Sequence, residues 1–300
     1  MKAHVTVLTE EAVEALALAD DSCVVDATLG SAGHAGEILS RLGKRGILIG
    51  IDADKTAIEG AKKILKAKGA TLHLAVGNFR AIDSILGQLN IAGADAILAD
   101  LGWRMEQFSG SGKGFSFQVD EDLLMTLGDP EDYPFVARDI VNDWKEKDIE
   151  NVLKGYGEER FAKRIAEAIV ETREKHPIKT TFDLVKVIEG SVPGAYRHGR
   201  IHPATRTFQA LRIAVNDEFD ALTEFIEKSI ALLKPNGRLA IITFHSLEDR
   251  IVKHSFRDFA GKGEGTVLTK KPITAKDAEV KRNPRSRSAK LRIFKKYDKA

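Results

Sequence analysis

Through the first third of the chain, short apolar runs alternate with stretches whose apolar residues recur every three or four positions. Glu10 to Ala19 has the spacing of an amphipathic helix, and Cys23-Val24-Val25-Asp26 is an apolar run that ends on an acid. Gly33 to Leu42 reads as a helix, and Gly46 to Asp52 (GILIGID) as a second buried strand that again ends on an acid. Lys55 to Lys68 places Ala57, Ile58, Ala61, Ile64 and Leu65 near helical period, and Thr71–Val76 and Ala94–Leu101 (ADAILADL) follow as third and fourth strands. Apolar strands separated by helices predict a parallel sheet covered on both faces.

The alternation then stops. Ser109 to Gly114 is rich in glycine and serine, and Ala137 to about Gly190 has only helical spacing, including Glu158 to Lys175. Pro193, Gly194, Gly199 and Pro203 mark loops. A helix over Asp217–Leu233, a turn at Lys234-Pro235-Asn236-Gly237, a fifth buried strand at Arg238–Phe244 and a helix over Glu248–Phe259 restore the pattern, with final strands expected near Thr266–Thr269 and Leu291–Lys295. The expected architecture is an α/β doubly wound core formed by residues 1–108 and 204–300, interrupted by a helical insert at 109–203 that is expected to recognise the substrate.

Composition narrows the class. The chain has 300 residues with 43% apolar and 30% charged, enough for a substantial core and unlike a disordered or collagenous sequence. Cys23 is the only cysteine, which excludes an internal disulfide and a cysteine-based zinc site. No apolar run reaches the roughly 18 residues of a membrane span, and the N-terminal residues do not read as a signal peptide, so a soluble cytoplasmic protein with no metal and no membrane partner is expected. The net charge of +2 hides an uneven distribution. Asp120–Glu150 holds eleven acids and three Lys/Arg, whereas Lys281–Ala300 holds nine Lys/Arg and one acid. A basic end on a near-neutral chain suits a polyanion, and equally a solvated tail.

In open parallel sheets, ligands bind beyond the carboxyl ends of the strands. The first such end reads Asp26-Ala27-Thr28-Leu29-Gly30-Ser31-Ala32-Gly33-His34. Small residues there let a ligand approach the backbone, and the next helix begins with free N–H groups. Asp52 ends the second strand and can take both hydroxyls of a ribose; Phe79, after the third strand, can stack on an adenine or pack in the core; Asp100 ends the fourth. The loop spells D-x-x-x-G-x-x-G rather than the G-x-G-x-x-G of a pyrophosphate site. An acid at its start favours a cationic ligand, so S-adenosylmethionine (SAM), with its sulfonium and ammonium, is preferred over NAD. A helix N-cap is the competing reading for Asp26 and for Asp52.

Longer strings carry a family resemblance. DATLGSAGHA (26–35), GIDAD (50–54), ADLG (99–102), GFSF (114–117), YGEERFAKRIAEAIV (156–170), IHPATRTFQALRIAVNDE (201–218), FHSLEDRIVK (244–253) and NPRSRSAKLR (283–292) resemble the bacterial 16S rRNA (cytosine-N4) methyltransferase family over nearly the whole chain. The resemblance implies a class I SAM-methyltransferase core, Rossmann-like, with a helical insert. It also implies methylation of a decoding-centre cytidine of the small ribosomal subunit, with 16S rRNA as partner, and SAM contacts from Ala32, Gly33, His34, Asp52, Phe79, Asp100 and Gln107, beside Asp26 and Gly30 of the loop. A homodimer stays open.

The chain departs from the family at two places where the base should sit. After Asp100-Leu101-Gly102 the family usually continues V-S-S-P-Q-L-D, where this chain has Trp103-Arg104-Met105-Glu106-Gln107-Phe108-Ser109. The family's D-G-P-L-D-M-R-M is replaced by VDEDLLMTL at 119–127. A second reading follows, of a SAM-binding ribosome-assembly factor with reduced or lost turnover. A DNA amino-methyltransferase is disfavoured because no [DNS]-P-P-[YF] string follows the fourth strand. Catalytic candidates are Asp100, as acceptor for the N4–H; Trp103, as a clamp for an everted base or ordinary packing; and His245, more weakly, within a segment that shapes the pocket. Arg206 and Arg212 read as internal partners of Asp217 or Glu218, and Asn283–Arg292 as facing RNA.

Overall fold

The computed structural model describes residues 6–101 and 112–298. The chain divides into two compact units, Met1–Gly102 with Phe219–Ala300, and Trp103–Glu218. In chain order the first unit opens with α1 (Thr9–Leu16), β1 (Cys23–Asp26), α2 (Gly33–Arg41), β2 (Ile47–Asp52), α3 (Lys55–Ile64), β3 (Thr71–Val76), α4 (Ile82–Gln88) and β4 (Ala94–Asp100). Helix α3 starts where the Asp54 carboxylate accepts from the Thr56 N–H, which is a standard side-chain N-cap.

The second unit carries α5 (Ala137–Asp143), α6 (Glu146–Gly157), α7 (Ala162–Arg173), α8 (Thr181–Ser191), α9 (Gly194–Arg197) and α10 (Ala204–Asn216). One apolar cluster unites them, with Ile140, Ile149, Leu153, Ile165, Ile169, Leu184, Ile188, Phe208 and Leu211 all buried. Helix α10 belongs here, so the boundary falls after Glu218 and not after residue 203. The cause is its apolar face: Ala204, Phe208, Ala210, Leu211 and Val215 bury against α6 and its neighbours.

The chain then returns to the first unit with α11 (Glu218–Leu232), β5 (Leu233–Thr243), α12 (Ser246–Gly261), β6 (Gly265–Val267), β7 (Ile273–Thr274), α13 (Asp277–Arg282) and β8 (Lys290–Lys296). The sheet order is β3-β2-β1-β4-β5-β8-β6, with β7 also on β8. Strands β3, β2, β1, β4 and β5 run parallel, while β8 is antiparallel to β5, β6 and β7. Alternate residues feed opposite faces, as the period of two requires. Val24, Leu98 and Ile242 join the core layer holding α1 and α2, and Val25, Ile97 and Ile241 join the layer holding α4, α11 and α12. The expected turn at 234–237 is an excursion inside β5: Leu233 pairs with Ala94, and pairing resumes at Arg238 with Ala96. This is an α/β, doubly wound, mostly parallel sheet of the Rossmann-like kind. Strand order reverses between β1 and β4, and such a reversal opens a crevice at the carboxyl ends.

Candidate active site

The crevice is bordered by the ends of β1, β2 and β4, and each ends on an acid: Asp26, Asp52 and Asp100. Beyond β1 the backbone continues to bond both neighbours, Ala27 N–H to the Leu98 carbonyl and Leu29 N–H to the Ile51 carbonyl, at 2.8 Å each. The loop then turns through two left-handed residues, Gly30 (φ 53°) and Ala32 (φ 62°), before α2 begins at Gly33. Glycine takes that conformation freely, whereas alanine is held there against its preference. At Gly33 the Thr6 hydroxyl occupies the space that a Cβ would need.

Asp52 braces this loop. Its Oδ2 accepts from the Gly30 N–H at 2.7 Å, and its Oδ1 accepts from the Asp54 N–H at 2.8 Å. Asp54, not Asp52, caps α3. Each carboxylate oxygen has a second lone pair, so Asp52 can brace the loop and still accept from ribose hydroxyls. Asp100 is tied to the same loop, because its N–H donates to the Thr28 Oγ1 at 2.6 Å. Thr28 was not among the expected site residues; its only signal in the sequence is a hydroxyl lying between the acid and the glycine of the loop.

His34 lies on the first turn of α2, buried at 4% exposure. Its Nε2 is 3.0 Å from the Val7 carbonyl and its Nδ1 is 3.7 Å from the Asp100 Oδ2. The ring of His34 therefore stands between the Val7 carbonyl and the Asp100 carboxylate.

Asp26 differs from the other two acids. It is 1% exposed, its Oδ1 accepts from the Thr28 N–H at 3.3 Å, and its Oδ2 has no hydrogen-bond partner. Burial, with the charges of Asp100 and Asp52 adding to it, raises its pKa to about 7 against the help of the Thr28 and Ala35 N–H groups. A buried carboxylate oxygen without a donor is costly. Two further acids beside it make the crevice hostile to a pyrophosphate and receptive to a cation. SAM meets that requirement with its ammonium and sulfonium, and Asp52 offers the acceptors its ribose needs. The residues present therefore fit SAM.

The remaining expected residues divide. Phe79 follows β3, half-buried, with its ring edge-to-face with Phe225 at 5.1 Å, and is packed against the core layer beneath α11. His245 follows β5 as the N-cap of α12. Its Nδ1 accepts from the Glu248 N–H at 3.4 Å, its Nε2 lies 3.0 Å from Glu248 Oε1, and Glu248 Oε2 accepts from the Phe244 N–H at 2.9 Å. Its Nδ1 thus serves as the cap of α12, while its buried Nε2 has no hydrogen-bond partner and lies beside the Glu248 carboxylate. Trp103 and Gln107 lie outside the described residues. Among the described residues no cluster of His, Cys, Asp or Glu could hold a metal, and no helix is long and apolar enough to cross a membrane.

Two readings of basic residues also resolve. Arg212 forms a two-point pair with Glu218 at 2.8 and 3.0 Å, whereas Arg206 donates to the Glu158 carbonyl at 2.9 Å. Arg292, expected to face RNA, is buried and donates to both oxygens of Asp249 at 2.6 and 3.1 Å. Strand β8 runs between β5 and β6, so its side chains enter the core layers on both faces.

Comparison with known proteins agrees with this geometry. A family model described as the MraW methylase family matches residues 1–297. Curated relatives named Ribosomal RNA small subunit methyltransferase H include those of Brevibacillus brevis (42% identity), Symbiobacterium thermophilum (43%) and Citrifermentans bemidjiense (44%). Each alignment covers 98% of this chain and 96–98% of the relative. Similar solved structures include a putative rRNA-methylase from Clostridium thermocellum, at 10% identity over 99% of the chain with a TM-score of 0.49, a likeness too loose to add to the assignment. On the full-length match and the carboxylate-lined crevice together, the chain belongs to the MraW methylase family and is a methyltransferase whose methyl donor is SAM.

Proposed function

We propose that the protein methylates N4 of a cytidine in the decoding centre of 16S rRNA, acting in the cytoplasm on the small ribosomal subunit. The observation that carries the substrate reading is the end-to-end identity of 42–44% with enzymes named for small-subunit rRNA. SAM supplies an electrophilic methyl carbon when bound. The chain's own residues then have separable tasks. Asp26 provides the counter-charge for the ammonium. Asp52 takes the ribose hydroxyls while its loop bonds hold Gly30, Ala32 and Gly33 open to close approach. Phe79 walls the adenine side. Asp100, its backbone N–H held by Thr28 and its carboxylate beside His34, accepts the N4–H, which orients a nitrogen whose lone pair is delocalised into the ring. His245 shapes the end of β5. Gln107 as a cofactor contact and Trp103 as a base clamp complete the proposal. The base must leave its stack to reach the methyl carbon.

The test is transfer of labelled methyl to small subunits, and to free 16S rRNA, from cells lacking the modification, followed by nucleoside analysis. N4-methylcytidine is the expected product. Label in another nucleoside overturns the N4 assignment. SAM binding with no transfer to either substrate overturns the enzymatic reading in favour of an assembly factor.

A further inference from the structure

The string YGEERFAK (156–163) lies outside the strand ends that border the crevice. In the unit Trp103–Glu218 it builds a second constellation. Glu159, 2% exposed, accepts the Tyr196 hydroxyl at 2.6 Å and the Phe161 N–H at 2.8 Å. Phe161 and Tyr196 meet edge-to-face, 4.9 Å between centroids. The Arg160 guanidinium lies 4.7 Å from the centroid of each of these rings. Burial and the Glu159 carboxylate hold the Tyr196 hydroxyl up at about 12, so it remains a donor at any working pH. Gly157 lets α10 approach: a Cβ there would stand 2.6 Å from the Arg206 carbonyl.

The surroundings are one-signed. From Gly190 to Asn216 there is no carboxylate and there are four arginines. Arg212 is committed to Glu218 and Arg206 donates to a backbone carbonyl, but Arg197 and Arg200 are exposed, with His198 between them. Among the described residues, Arg160, Arg197 and Arg200 have no ion pair. The acids beside it are Glu159, turned inward to Tyr196 and Phe161, exposed Glu158, and Glu189, whose carboxylate lies 3.5 Å from His202 and not against Arg160, Arg197 or Arg200.

Resting on the rRNA reading above, we infer that Arg160, Arg197 and Arg200 form the surface that takes the phosphate backbone of the RNA substrate, with Tyr196 and Phe161 setting the plane of the Arg160 fork. A guanidinium stacked on aromatic rings loses little freedom when it pairs with a phosphate, and its planar donors match two phosphate oxygens. Phosphate contacts of this kind position an RNA without reading its sequence.

The experiment measures binding of a fluorescent 16S rRNA fragment by anisotropy from 50 to 200 mM salt, for wild type and for R160Q/R197Q/R200Q. All three sites lie at the surface, and circular dichroism and thermal midpoints confirm that the variant folds. Each lost phosphate contact should lower the slope of log K against log salt by about 0.7 to 0.9. The triple variant should therefore lose about two units of slope, and affinity at 100 mM salt should fall by a factor of roughly 10 to 100. Affinity for SAM should be unchanged; in methyl transfer KM for RNA should rise while kcat holds. R160K keeps the charge and loses the stacked fork, and should fall between the two. An unchanged slope in the triple variant, with wild-type transfer intact, overturns this surface and leaves the methyltransferase reading standing. Absence of methyl transfer by the wild type is a separate failure, that of the rRNA reading itself.

Discussion

Two buried carboxylates in the same unit have opposite surroundings. Asp26 at the end of β1 is 1% exposed, and the charged groups acting on it are two other acids, Asp52 and Asp100. Asp249 on α12 is 9% exposed and faces Arg292 and Lys290 of β8. Burial raises the pKa of both. At Asp249 the hydrogen bonds and charges of Arg292 and Lys290 reverse the shift, and the net change is downward; at Asp26 nothing cationic does, and the pKa rises to about 7. The fold itself completes the Asp249 site. At Asp26 the fold supplies no such cation, and the proposed role toward the SAM ammonium rests on that difference, which burial alone would not reveal.

The largest expected effect is on the completed pair. Arg292→Met leaves Asp249 buried without its main partner and should cost about 3–5 kcal/mol, read from the urea midpoint. Replacing both residues by apolar ones of similar size should recover most of that loss. If the single variant costs less than ~1 kcal/mol, the pair is not what holds α12 to β8, and the contrast fails on this side.

Asp26 predicts the opposite pH behaviour. Its folded pKa of about 7 lies above the ordinary value of 3.8, so between those values the folded chain binds the extra proton. Its contribution to stability is therefore largest below about pH 4 and is lost as pH rises through 7. The full shift corresponds to a ceiling of about 4 kcal/mol, reduced by relaxation around the carboxylate. Asp26→Asn should remove that slope, gaining stability relative to wild type at pH 8 and not at pH 4. Asp249, its pKa lowered, contributes stability that is present above the unfolded value and lost on acidification. At pH 6.5, SAM binding should release a proton from Asp26, seen as a buffer-dependent heat in calorimetry and absent in the variant. The variant should also bind SAM more weakly by about 1.5–3 kcal/mol, the worth of a charged hydrogen bond.

The comparison also shows what a sequence can reveal. Asp26, Asp52 and Asp100 were legible because each ends an apolar run, and in a parallel sheet all such ends share one edge. The layers were legible for the same reason, since the alternation in Val24-Val25 and Ile97-Leu98 follows from strand geometry. Partners across the chain were not. Arg292 sits in a basic run that reads as solvated, and its commitment to Asp249 depends on which strand lies between β5 and β6. Spacing alone places α10 with the core, because its apolar face does not state against what it packs; in the fold it buries within the unit Trp103–Glu218. A histidine after a strand invites a catalytic reading; what the sequence does not state is that His245 Nδ1 caps α12 by accepting from the Glu248 N–H.

Smaller changes sharpen the contrast on each side. At Gly50 in β2, an added Cβ would stand 2.8 Å from Leu29 Cδ1 and 2.9 Å from Leu74 Cδ2. Leu29 directly precedes Gly30, so Gly50→Ala should cost about 1–2 kcal/mol by overpacking and also weaken SAM binding by displacing the loop. Equal loss of stability with unchanged SAM affinity would show that the loop is braced by Asp52 alone.

The smallest effect is expected from the second cation on Asp249. Lys290 Nζ lies 3.3 Å from Asp249 Oδ2, but its side chain is 36% exposed, and Arg292 already occupies both carboxylate oxygens. Lys290→Ala should therefore cost under about 1 kcal/mol, with a salt dependence typical of a surface pair, against several for Arg292→Met. The ratio tests whether the planar, buried donor completes the site or whether any nearby positive charge would do. If Lys290→Ala matches Arg292→Met, net charge governs the Asp249 site, and then a lysine introduced near Asp26 would stabilise the SAM-free fold just as well as the cofactor's cation does.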